Sequence, residues 1–124
     1  MIKLVYATLA AVIFGSGCFA AEPITVSEYV QMKSKMASTP KDLTLIIYLS
    51  GVADALYSAN LVSVGQGKSP LYCFGSPRPL TATELIKQID ALLMGRIQQK
   101  EPVPGSFFVS VVAANALGVN LRCS

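Results

Sequence analysis

Histidine and tryptophan are absent from this sequence of 124 residues, and only 14% of its positions are charged. Without imidazole there is no Ser-His-Asp or Cys-His relay, and the usual nitrogen ligand of zinc is missing as well. Acids are scarce, with 7 against 10 lysines and arginines. The acids in helical regions are Glu28, Asp42, Asp54, Glu84 and Asp90. Glu28, Asp42 and Glu84 fall in first turns, where an acid caps the backbone. Asp54 and Asp90 remain as a pair for a carboxylate-based hydrolase. Gly65-x-Gly67-Lys68-Ser69 matches only the tail of a phosphate-binding loop, with the first glycine misplaced. The basic residues are scattered and form no nucleic-acid footprint. Repeats, low-complexity tracts and strand–helix alternation are also lacking, which leaves an all-α class with no cofactor and no enzymatic chemistry expected.

One apolar run stands at the start. Lys3 precedes residues 4–14, which are apolar apart from Thr8. That length suits the core of a signal peptide and is short for a membrane helix, which needs about 20 residues. Gly15, Ser16 and Gly17 break the run, and Cys18-Phe19-Ala20 places small residues for cleavage after Ala20. Gly15-Ser16-Gly17-Cys18 also approximates a lipoprotein box. Gly15 stands where that box carries Leu, Val or Ile, so plain cleavage is preferred over lipidation of Cys18. The expected division is a leader at 1–20 and one domain at 21–124, located in the periplasm. The leader holds one charged residue, Lys3, so its removal takes the formal charge from +3 to +2. No second apolar run of membrane length is read after it.

Cleavage leaves two cysteines, Cys73 and Cys123. An even count in an oxidising compartment reads as a disulfide. It would close a loop of about 50 residues, worth about 4 kcal/mol in the chain-entropy model.

About four helices follow from the pattern. Thr25 and Glu28 form a capping box that opens a helix over residues 26–37, with Tyr29, Val30, Met32, Lys33 and Met36 near one another. Pro40 suits the first position of a second helix, over 40–62. There Leu45, Leu49, Val52, Leu56 and Ala59 recur at helical spacing, and Ile46, Ile47 and Tyr48 widen the stripe, so this helix is expected to be central. Gly51 and the small residues around it would admit another helix. Asp54, inside so apolar a helix, calls for a partner such as Arg78 or Lys87. Residues 63–80 read as a loop from their glycines and prolines. Thr81 and Glu84 open a third helix, with Leu85, Ile89, Leu92 and Leu93 on its apolar face. Ser106 is expected to cap a fourth, from Phe107 to about Leu117, with Phe107, Phe108, Val111, Val112 and Ala116 in the core and Gly118 as the stop.

The long loop carries Lys68, Tyr72, Phe74 and Arg78 around Cys73. Tyr and Arg are enriched at interaction hot spots. The plainer reading has Tyr72 and Phe74 folded back onto the core.

The order of these pieces carries a resemblance. Tyr48-Leu49-Ser50-Gly51-Val52-Ala53-Asp54-Ala55-Leu56 leads to Cys73-Phe74-x-x-Pro77, then to a capped helix at Thr83-Glu84-Leu85-Ile86. After a proline-containing break the chain closes on Ala114-Asn115-Ala116-Leu117 and Cys123. Across residues 45–123 this resembles the resistance-associated, or Tai-type, immunity proteins of type VI secretion systems. Leu121-Arg122-Cys123 departs from the Pro-Cys ending common in that family. The resemblance implies a periplasmic protein that binds a peptidoglycan amidase, occludes its active site and often forms a homodimer. Carried onto this sequence, the partner surface would involve Lys68, Tyr72, Phe74 and Arg78, with Gly51 and Asp54 supporting it or forming the dimer contact.

The alternative is a periplasmic acid-stress chaperone of the Hde type, also small, helical and held by one disulfide. Its first cysteine lies near the start of the helical core, whereas Cys73 follows two helices. Few acids and no histidine also leave little means for a proton-driven switch.

Overall fold

Thr25 begins the first helix with both halves of a capping box. Its hydroxyl accepts from the Glu28 N–H at 3.3 Å, and its own N–H donates to the Glu28 carboxylate at 2.8 Å. The computed structural model describes residues 23–124, so the leader at 1–20, its cleavage site and Cys18 lie outside the described residues. Among the described residues there are four helices and no strands: α1 (Val26–Ser38), α2 (Thr44–Gly65), α3 (Ala82–Gln98) and α4 (Val109–Asn120). The all-α class and the number of helices match the sequence reading.

α2 starts four residues after Pro40. Asp42 closes a turn by donating its N–H to the Thr39 carbonyl at 3.1 Å. Its carboxylate then accepts from the Thr44 N–H at 3.0 Å and the Thr44 hydroxyl at 2.7 Å. A short side chain that satisfies an orphan amide sets the boundary here more strongly than the fixed φ of proline. At its far end α2 runs past Val62 until Gly67, at φ 74°, permits a left-handed reversal. The Gly67 N–H reaches the Val64 carbonyl and the Lys68 N–H reaches the Ser63 carbonyl, both at 3.0 Å, which is a Schellman closure. α3 ends in the same way, with Lys100 at φ 60° in the reversed position.

α4 corrects the sequence reading at both ends. Ser106 is not its cap, because the segment before α4 pairs with the lead into α1. Val26 donates to the Phe107 carbonyl and Val109 to the Ile24 carbonyl, both at 2.8 Å. Ser27 N–H donates to Gly105 at 3.0 Å, and a Cβ on Gly105 would collide with the Ser27 hydroxyl. These bonds hold Phe108 extended, and the rings of Phe107 and Phe108, like Val111, stay about half exposed instead of entering the core. Gly118 lies inside the helix, which continues to Asn120.

Tyr29, Leu45, Leu49, Leu85, Ile89, Val109 and Leu117 are fully buried. α3 packs against both α2 and α4 and takes the central place expected of α2. α2 gives Leu45, Leu49 and Ala53 to the core, while Ile47, Leu61 and Val62 face outward at 68%, 55% and 58% exposure. Its length and mean hydropathy of 1.5 also reach those of a membrane span, which corrects the reading that no such run follows the leader.

Candidate functional site

The loop between α2 and α3 is long, and it is tied at three points. Cys73 is bonded to Cys123, with Cα atoms 5.0 Å apart, and the Cys73 N–H donates to the Leu121 carbonyl at 2.8 Å. Asn60 of α2 clasps the loop backbone: its amide donates to the Tyr72 carbonyl at 3.0 Å and its oxygen accepts from the Leu71 N–H at 2.6 Å. Ser63 donates to the Ser69 carbonyl at 2.9 Å.

Tyr72 turns inward and is buried, as the plainer reading had it. Its hydroxyl has no hydrogen-bond partner among the described residues. Burial, and then the neighbouring Tyr57, push its ionisation upward. Phe74 is half buried, and the Arg78 guanidinium lies 5.2 Å from its ring centre. Arg78 also grips Glu84 with both terminal nitrogens, at 2.9 Å each, and donates to the Pro79 carbonyl at 3.0 Å. Lys68 is exposed at the end of α2. The structure therefore brings Phe74 and Arg78 together, buries Tyr72, and leaves Lys68 apart beyond the Schellman turn.

Glu84 links this loop to α3, because it also accepts from the Thr81 N–H at 2.7 Å. Arg78 first, and then the Thr81 amide, hold its carboxyl down to about 2. A folded-state pKa below the ordinary 4.5 means that the stabilisation is complete above pH 4.5 and is lost as pH falls towards 2. Glu84→Gln is accordingly expected to flatten the fall in thermal stability between those pH values, while leaving the neutral side of the profile parallel to wild type. An unchanged acid limb would show that the pair does not couple to folding.

Asp54 and Gly51 lie on the outer face of α2, both exposed. At 100° per residue Ile47, Gly51, Asp54, Ser58, Leu61 and Val62 share one side, opposite Leu45 and Leu49. Among the described residues no ion pair involves Asp54; Arg78 is committed to Glu84 instead. A Cβ at Gly51 would meet nothing within 4 Å, so the small residues form an open saddle between bulky ends.

One cluster was not legible in the sequence. Asp90 of α3 accepts from the Tyr29 hydroxyl at 2.8 Å and from the Lys33 ammonium. Lys33 also lies 5.7 Å from the Tyr29 ring centre. Tyr29 and Lys33 are one turn apart on α1, a spacing that marks a shared face. Their partner lies 57 positions beyond Lys33, and that pairing has no local signal. Among the described residues no group of three metal-binding side chains comes together.

Compared with protein-family models, curated proteins and solved structures, the chain has no significant match.

Proposed function

We propose that this chain is a periplasmic immunity protein that binds a type VI secretion effector, a peptidoglycan amidase, and inhibits it by occluding its active site. The observation that supports this most is the bracing of the Phe74–Arg78 edge. A loop tethered by a disulfide, by Asn60 and by the Arg78–Glu84 fork loses little conformational freedom on binding, and preorganisation of this kind raises affinity. Arginine stacked on an aromatic ring is also typical of interface anchors. The outer face of α2, with Gly51 and Asp54 between its apolar ends, fits a homodimer contact in which small residues let two helices approach.

The test is periplasmic co-expression with a secreted amidase encoded beside this gene. Protection of the cells and co-purification of a stable complex are expected. Arg78→Ala should weaken the complex about 30-fold, as loss of a 2 kcal/mol anchor does. Light scattering of the mature chain is expected to give twice the monomer mass, returning to one with Ile47→Asp. Neither protection nor a complex with the amidase would overturn the immunity reading. Suppression of client aggregation at low pH in its place would support the acid-stress chaperone.

A further inference from the structure

A groove runs between α1 and α3 on the side of α3 away from α4. Its floor is Leu93 and Val103, and its walls carry Val30, Met94 and Ile97 at 55%, 56% and 57% exposure. What sets these three apart from apolar side chains exposed singly is that they line one contiguous groove, the arrangement that marks ligand-binding grooves. The Lys33–Asp90 pair closes one end, and Ser27 with Gly105 closes the other. The two helices therefore run antiparallel, and the groove is about 10 Å long, the rise of seven helical residues. That is too short to seat a partner helix over a standard protein interface. Its volume of about 670 Å³ falls within the range of small-molecule sites.

The closed end selects the head group. Lys33 has three N–H donors and gives one to Asp90. The two Asp90 oxygens take Tyr29 and Lys33, and each retains a further lone pair. Together the pair is neutral and offers both a donor and an acceptor. A charged head placed there would lose hydration without a net opposite charge to replace it. An uncharged head that accepts from Lys33 and donates to Asp90 is matched at both atoms.

We propose that this groove binds a medium-length uncharged amphiphile, an acyl amide, with its chain along Leu93, Met94 and Ile97 and its amide on the Lys33–Asp90 pair. The site is independent of the immunity reading and survives or fails without it.

The probes are octanamide, octanoate and octylammonium, titrated into the mature chain and followed by calorimetry and amide chemical shifts. Octanamide is expected to saturate with Kd below about 1 mM, a modest affinity for so small a ligand. Shifts should cluster at Val30, Met94 and Ile97, and both ions should bind at least about fivefold more weakly. Removing one charge should then redirect the preference. Lys33→Met leaves Asp90 negative and favours octylammonium, while Asp90→Asn leaves Lys33 positive and favours octanoate. Met94→Asp, at an exposed position that leaves the fold intact, should abolish saturation. Equal binding of all three probes, preferences unmoved by the two charge variants, or shifts outside the groove would each overturn the proposal.

Discussion

Replacing Cys73 with serine is expected to lower stability by about 4 kcal/mol, the largest loss available outside the apolar core. The two cysteines lie 50 positions apart, and the segment between them contains all of α3 and α4. Without the bond the unfolded chain regains the entropy of a loop of that length, while the native contacts on either side persist. The Cys73 N–H still reaches Leu121, and Asn60 still holds the backbone at Leu71 and Tyr72. The loss therefore falls chiefly on the balance between folded and unfolded states and much less on the shape of the loop. With domains of this size typically stable by 5–15 kcal/mol, it removes a large share of the total. Urea unfolding checks the claim. Cys73→Ser, Cys123→Ser and the double variant should share one midpoint, since each removes the same cross-link, and reduced wild type should join them. A wild-type midpoint indifferent to reductant would show that the bond contributes nothing.

How far such contacts could be read in advance depended on the distance over which each is decided. The capping boxes at Thr25–Glu28 and Thr81–Glu84 are complete within four residues, and both helices start where the sequence places them. The start of α2 is as local, yet Pro40 and Asp42 are competing signals two residues apart, and the hydrogen bond to Thr44 decides between them. The start of α4 is not local at all. Phe107 and Phe108 look like core residues by composition, and they stay outside because the lead into α1 brackets them, Val26 taking the Phe107 carbonyl and Ile24 the Val109 N–H. α2 shows a different failure. Apolar composition measures what a helix would bury if it were surrounded, and nothing in residues 44–65 indicates that α3 lies along one side alone. Of the candidate site, the disulfide and the presence of an aromatic–arginine loop were legible. The inward turn of Tyr72 agrees with the plainer of two sequence readings, whereas the Arg78–Glu84 fork and the clasp by Asn60 depend on how the loop lies over α2. The Tyr29–Lys33–Asp90 cluster depends on the antiparallel approach of α1 and α3.

Tyr29 should be the most costly single position within that cluster. Its side chain is fully buried, and its hydroxyl donates to Asp90 at 2.8 Å. Tyr29→Ala removes an aromatic ring from the centre of the domain and is expected to cost about 3–5 kcal/mol, the range for large aromatic-to-alanine changes in cores. Tyr29→Phe keeps the ring and removes only the hydrogen bond to a charged acceptor, for about 1.5 kcal/mol, because Asp90 is 35% exposed and water can take the vacant position. The two variants also part at alkaline pH. Burial first, and then the hydrogen bond and negative charge of Asp90, raise the ionisation of Tyr29 above its ordinary 10.0. The folded state thus holds the phenol proton where the unfolded state releases it. Stability from this group is complete below pH 10 and falls as pH rises past it. Wild type should lose stability on that limb with the slope of one additional proton, and Tyr29→Phe should lose that share of the slope while folding normally at neutral pH. Equal alkaline slopes in the two proteins would show that the phenol titrates as freely in the fold as outside it. The same measurement isolates the hydrogen bond from the ring: Tyr29→Ala removes both at once, whereas Tyr29→Phe keeps the ring in the core and alters only what Asp90 receives.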